Sequence, residues 1–237
     1  MWRIFFASTI FSTFVLLTTQ IPYIDIHTHR PNAIEDGSTL SIVNIALNHS
    51  ESIIKGDCSI GLHPWYINNN TEKALELMRT MIRNANVVAL GECGMDKNSE
   101  VPFAEQQAVF DQQILLAIIF QKPLIIHCVR AFQEIQASLA KEKIQLPVIF
   151  HGYRKNWILA KQLIDKGYYL SIGVHCLDGS QDEVVKNIPL AHLFLETDTD
   201  TATEIATLYQ YVAQVRSIPV EMLKQALYHN YKIVLKK

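Results

Sequence analysis

Two histidines two residues apart, His27 and His29 in YIDIHTHR, close a short apolar run, and Asp25 precedes His27 by two positions. Side chains at i and i+2 share a face of a strand, so the pair is either polar alternation or one corner of a metal site. A similar placement recurs along the chain. His63 stands in GLHPWY, Glu92 in ALGECGMD, His127 in PLIIHC, His151 in PVIFHG and Asp198 in LFLETD, each where an apolar run ends. Imidazole and carboxylate together are donors for a divalent cation. Singly, each residue has an ordinary role: His127 or His151 as a hydrogen-bonded core residue, Glu92 or Asp198 as a helix cap, His63 before Pro64 in a turn. Their common position at run ends favours a shared site.

The runs that carry them read as strands. Short segments rich in β-branched residues lie near 22–26, 41–46, 58–61, 87–91, 124–128, 147–151, 168–173 and 192–196. Helical spacing of apolar residues fills 71–85, where Asn70 or Thr71 can cap, and 103–120; weaker helices follow at 131–142, 155–166, 180–187, 203–217 and 219–229. Pro219 suits a first helical turn. The first two strand connections look too short for full helices. Apolar strands separated by helices predict a parallel sheet covered on both faces, and eight of them predict a single-domain (β/α)8 barrel of the TIM type, irregular in its early half. No glycine-rich phosphate loop follows the first strand, which argues against a dinucleotide fold. In such a barrel the strand ends share one rim, which brings the seven residues together.

The whole chain agrees with an enzyme-sized domain. It has 237 residues, 49% of them hydrophobic, and no linker or repeat, so residues 21–237 read as one domain. A net charge of -2 argues against a broad basic surface that wraps long duplex DNA. Cys58, Cys93, Cys128 and Cys176 lack metal or disulfide spacing and read as buried thiols. Residues 1–20 resemble the core of a signal peptide but have no cleavage pattern, and they are short and interrupted for a transmembrane span. They read as an extension outside the domain. Cytoplasm is favoured, with export or membrane attachment through this segment left open.

With these residues assembled, the chain resembles the TatD-like metal-dependent hydrolases, a branch of the amidohydrolase-like barrels, over roughly residues 22–235. The ordered motifs are DIHTH, GLHPW, GECGMD, a helix phrase with Phe103, Gln107, Phe110 and Gln113, then KPLIIHC, FHGY, GYYLSIG, LETD and, with Asn230, HNYKIVL. The resemblance implies two divalent ions, Mg2+, Mn2+ or Zn2+. His27, His29 and Asp198 would hold one, His127 and His151 the other, and Glu92 would bridge them where other barrels of the superfamily use a carboxylated lysine. Asp198 would also orient or deprotonate the attacking water, His63 would contact the scissile group, and Asp25 would support a ligand or a backbone group. Two ions at such a site can clamp both oxygens of an in-line displacement.

Several positions depart from the family's pattern. LETDTD lacks the usual proline, HGYRKN replaces HCFSG, the arginine in HCVRA is shifted by one place, and the segment between Asp198 and the final helices is short. These changes concern the substrate rim more than the ligands. On that rim Arg30, Arg130 and Arg154, with Lys97 and Lys155, are candidates for phosphate, and Trp65 and Tyr66 for stacking on a base. The resemblance therefore implies a phosphodiesterase or deoxyribonuclease acting on a DNA end or short single strand. Hydrolysis of an amide, lactone or other ester is the second reading, and a metal-binding protein without turnover is the third. No protein partner is inferred. His49, His175, His192 and His229 are left as structural or surface residues.

Overall fold

The computed structural model of the protein describes residues 20–30, 37–47 and 56–235. His49 and the leader up to residue 19 lie outside the described residues. The first three strands are β1 (Tyr23–Thr28), β2 (Thr39–Ala46) and β3 (Cys58–Gly61), and a 3-10 turn at Pro64–Tyr66 leads into α1 (Thr71–Met81). Strand and helix then alternate through β4 (Val87–Asp96), α2 (Phe103–Phe120), β5 (Leu124–Val129), α3 (Phe132–Lys141), β6 (Val148–Phe150), α4 (Trp157–Ile164) and β7 (Tyr169–Ile172). A 3-10 segment, Val174–Asp178, and α5 (Asp182–Asn187) precede β8 (Leu193–Leu195), and α6 (Ile205–Arg216) and α7 (Val220–Leu235) close the chain.

All eight strands pair in parallel in the order β1 to β8. Closure falls just beyond β8, where Thr28 bridges Asp198 in parallel register. There the His29 amide donates to the Asp198 carbonyl at 3.0 Å and the Asp198 amide donates to the His27 carbonyl at 2.9 Å. The barrel therefore closes through the candidate ligands themselves. The predicted barrel and its strand count stand, but two strands run further than their apolar runs suggest. β1 extends to Thr28 and β4 to Asp96, so His27 and Glu92 lie within strands and do not follow them. Every residue of β4 is buried, so polar side chains there face the packed interior of the rim.

Local sequence accounts for the helix limits. α1 stops four residues short of its apolar pattern because the Asn84 amide turns back to the Met81 carbonyl and the Asn84 side chain accepts from the Asn86 amide. α2 ends at Gln121, which takes a left-handed conformation with φ 53° shortly before Pro123. α7 continues to Leu235, past the predicted 229, because Tyr231, Val234 and Leu235 are buried on the core side.

Ile24, Ile26, Ile42, Val88, Ala89, Ile125, Ile149 and Phe194 form a cluster with those three residues of α7. Ile125 lies two residues before His127 and Ile149 two before His151, so apolar side chains floor the polar rim. α6 and α7 lock the barrel's seam. The Tyr209 hydroxyl accepts from the Ile24 amide at 2.9 Å and donates to the Ile24 carbonyl at 3.1 Å, while the Asn230 amide group donates to the carbonyls of Leu190 and Leu193. Among the described residues no helix is long and apolar enough to cross a membrane.

Candidate metal centre

Glu92 is the centre of the rim, and glycines allow the backbone to bring it there. A methyl group on Gly91 would lie 2.5 Å from the Ile125 carbonyl oxygen, and one on Gly94 would collide with the carbonyl of His127. The glycines of GECGMD thus let β4 press against β5 on both sides of Glu92. Asn44 of β2 fixes the residue from the other side. Its side-chain oxygen accepts from the Glu92 amide at 2.9 Å and its NH2 group donates to Glu92 Oε2 at 3.4 Å.

Around this carboxylate the imidazoles divide into two groups. His127 Nδ1 and His151 Nε2 lie 2.8 Å from Oε1, and His27 Nε2 and His29 Nε2 lie 3.5 Å from Oε2. Asp198 Oδ1 is also 3.5 Å from both His27 Nε2 and His29 Nε2. That spacing is too long for a good hydrogen bond, yet it matches the separation of about 3.4 Å expected between tetrahedral ligands each about 2.1 Å from one ion. His27 Nε2 is buried and makes no hydrogen bond. An orphaned imidazole nitrogen facing two carboxylate oxygens is what a cation site leaves behind, so the donor set fits a metal. Three overlapping groups have ligand atoms close enough for an ion: His27, His29 and Glu92; His27, His151 and Asp198; and His63, Glu92 and His127.

Partners of the far ring nitrogens decide which atoms are free to ligate. His127 Nε2 lies 2.9 Å from Asp96 Oδ2, so an Nε2–H donating there leaves the Nδ1 lone pair directed at the centre. Asp96 is itself held by the Trp65 indole N–H at 2.6 Å and the Asn98 amide at 2.8 Å. The opposite arrangement holds at His63. Its Nδ1 accepts from the Trp65 amide at 3.1 Å, which puts the proton of the neutral ring on Nε2, 3.3 Å from Glu92 Oε1. His63 is therefore set up as a donor at the centre and not as a ligand. The Gln113 side chain brackets the neighbouring Leu62, accepting from its amide at 2.9 Å and donating to its carbonyl at 3.1 Å. This gives a local purpose to the glutamine in the helix phrase.

The electrostatics follow from crowding. Burial alone would raise the Glu92 carboxyl, but the charge of His151 and the close imidazoles of His127 and His151 hold it well below the carboxylate range. Burial and His151 both depress His27, yet the facing carboxylates of Asp198 and Glu92 outweigh them and carry it up to about 9. His151 likewise sits well above the ordinary histidine value: burial opposes its charge, but Glu92 and Glu196 prevail. Burial pulls the other way at Asp198 too, and His27 keeps that carboxyl below its usual range. Glu196 is fully buried, 3.5 Å from His151 Nδ1, and accepts from the Gly152 amide at 2.6 Å. Asp25 does not reach a ligand side chain. It accepts from the Thr197 amide at 3.0 Å and hydroxyl at 2.7 Å, which fixes the residue before Asp198.

Asp198 itself has φ 51°, a left-handed conformation that aspartate tolerates better than most residues.

The structure thus brings His27, His29, His63, Glu92, His127, His151 and Asp198 together, and it separates the expected cations. Arg30 does not face the centre. Its guanidinium donates to the carbonyls of Asp200 and Thr203 and pairs with the Asp200 carboxylate at 3.6 Å. Lys97 pairs with Glu134. Arg130 and Arg154 are exposed and make no hydrogen bond or ion pair among the described residues. Trp65 and Tyr66 remain exposed beside His63, while the His192 Nδ1–H donates to the Tyr168 carbonyl at 2.9 Å.

Asn44, Asp96 and Glu196 escaped the sequence reading. Asp96 lies four residues after Glu92 on the same strand face, Glu196 two before Asp198, and Asn44 alone among apolar neighbours in SIVNIA. Strand periodicity carried a signal for each. A cleft of about 360 Å³ opens from the centre between β5 and β8, lined by His127, His151, Arg154, His175 and Asp198 among others. A separate hollow of about 200 Å³ between the 3-10 turn and α1 touches none of the ligands.

Known proteins share this arrangement of chain and fold. The protein is 26% identical over 190 residues to the uncharacterized metal-dependent hydrolase YjjV of Escherichia coli, covering 73% of each chain. It is 28% identical over 192 residues to the 3'-5' ssDNA/RNA exonuclease TatD of Pantoea ananatis, covering 72% of this chain and 74% of that one. The crystal structure of Escherichia coli YjjV has the same fold, with a TM-score of 0.77 at 23% identity over 91% of this chain and 98% of that one. A family profile described as TatD related DNase matches residues 33–236. His27 and His29 precede that stretch, and the parallel seam with Asp198 carries them into the same rim. Matched over most of its length, the chain belongs to the TatD related DNase family.

Proposed function

We propose that the protein is a divalent-metal-dependent phosphodiesterase, a deoxyribonuclease that acts on a DNA end or a short single strand with two cations, Mg2+, Mn2+ or Zn2+. The observation that carries this reading is the division of Glu92, with Oε2 turned to His27 and His29 and Oε1 to His127 and His151. His27, His29, Asp198 and Oε2 would hold one cation, and His127, His151 and Oε1 the other. Bound divalent cations supply Lewis-acid polarisation and a water of lowered pKa.

The chain's own residues supply the rest. Asp198, held as a carboxylate and partly open to solvent, orients the incoming water by accepting its hydrogen bond and takes its proton. Burial lowers the pKa of His63, so at neutral pH its ring is uncharged and its Nε2–H donates to an oxygen of the scissile group. The charge of -2 suits a substrate gripped locally in a cleft, not a long duplex wrapped over a basic face.

End-labelled single-stranded DNA incubated with Mg2+ or Mn2+ tests the reading. The expected result is stepwise shortening that stops with EDTA and in Asp198→Asn. Turnover of an amide or lactone panel with no nucleotide cleavage would replace phosphodiester chemistry by that of other amidohydrolase-like barrels, and bound metal with no turnover at all would leave a binding protein.

A further inference from the structure

The rim is asymmetric in charge. Arg30 and Lys97 are committed to partners within the protein, whereas Arg154 has no hydrogen bond or ion pair among the described residues. Arg154 lines the cleft of about 360 Å³ shared by His127, His151 and Asp198, and also an adjoining hollow of about 310 Å³ that Lys155 lines. His175, exposed at the end of the strand β7 connection, lines the first cleft as well. The cleft's carboxylates are largely occupied: Glu196 by the Gly152 amide beside His151, Asp198 by the imidazoles, and Asp200 by Arg30 and the amides of Ala202 and Thr203. Asp178 feels the charge of both Arg154 and His175, yet it forms an ion pair with neither.

We propose that Arg154 and His175 form a second anion subsite, which grips the phosphate next to the one being cut. This rests on the phosphodiesterase reading and narrows it: the substrate class is an oligonucleotide with at least two adjacent phosphates, and a lone diester lacks the second handle. An arginine fork on the open wall of a cleft can donate two parallel N–H groups to phosphate oxygens, and the histidine adds an N–H donor from the β7 side.

The test compares 5'-fluorescein-labelled (dT)4 with bis(4-nitrophenyl) phosphate, a diester without a neighbouring phosphate. Fluorescence anisotropy in EDTA measures binding of the tetranucleotide independently of turnover. Arg154→Ala should weaken it about tenfold and reduce the salt slope by about 0.7, one phosphate contact on a single strand. His175→Ala should weaken binding about threefold, and Arg154→Lys should recover part of the loss. With Mn2+, the preference in kcat/KM for (dT)4 over bis(4-nitrophenyl) phosphate should fall about tenfold in Arg154→Ala, through KM. Both residues are exposed, so circular dichroism should show the variants folded.

Undetectable binding of (dT)4 by the wild-type protein, unchanged binding in Arg154→Ala, or an unchanged preference would overturn the subsite. A wild-type protein that cleaves both diesters while Arg154→Ala binds as before defeats the subsite and leaves the phosphodiesterase reading intact. One that binds (dT)4 through Arg154 but cleaves neither diester defeats that reading and supports the subsite.

Discussion

Replacing Glu92 by glutamine separates a shared carboxylate from two independent sites. The change keeps the shape of a side chain that is almost fully buried, so packing is preserved while one oxygen becomes an NH2 group. In the wild-type protein one oxygen faces His27 and His29 and the other faces His127 and His151. Whichever way the amide turns, one histidine group meets a donor that cannot ligate. At least one of the two proposed ions should therefore be lost. An ion present at a thousand times its Kd adds about 4 kcal/mol, and a domain of this size gains about 2–4 °C per kcal/mol, so each site should raise Tm by about 8–16 °C. Metal analysis after dialysis should show the stoichiometry falling from two to one or none, and the metal-dependent rise in Tm should shrink by half or more. Asp198→Asn, which alters the carboxylate 3.5 Å from His27 and His29 and leaves both Glu92 oxygens in place, should weaken the ion on that side more than the other. Full metal content in Glu92→Gln, with the wild-type rise in Tm, would refute the shared-carboxylate reasoning. A wild-type protein whose Tm ignores Mg2+, Mn2+ and Zn2+ would remove the site altogether.

Three further perturbations probe the supports. Asp96→Asn removes the carboxylate that holds His127 Nε2 and should weaken metal binding about 10- to 100-fold in chelator competition, with a shift in Trp65 fluorescence; unchanged affinity would show that the contact does not orient the ring. Gly94→Ala forces a methyl group onto the His127 carbonyl at φ 141° and should cost about 2–5 kcal/mol in urea melts, while a loss below about 0.5 kcal/mol would mean that β4 and β5 can part freely. Arg30→Ala removes hydrogen bonds to the carbonyls of Asp200 and Thr203 and should destabilise the protein by about 1–3 kcal/mol. Amide exchange should then speed up over residues 199–204, and protection equal to wild type would count against Arg30 as the clamp of that loop.

Much of this protein is determined locally and is therefore legible in its sequence. Apolar runs separated by helical spacing specify parallel strands covered on both faces, because a strand buried on both sides must be apolar along its length. Since parallel strands all point the same way, polar residues at the ends of those runs must meet on one rim, and seven residues from His27 to Asp198 do so. Only the tertiary structure decides what each of them does there. Register shifts between Asp25 and Thr28 and between Leu90 and Cys93 set which side of each strand faces the centre, and these depend on neighbouring strands. The proton positions at His63 and His127 follow from contacts with Trp65 and Asp96 that cross between elements. Arg30 shows the limit most clearly: next to a ligand histidine it reads as a phosphate contact, but barrel closure brings carbonyls 170 and 173 residues away within reach and turns it into a clamp. A charged side chain near a site binds whatever the fold places beside it first, and that choice is made in three dimensions.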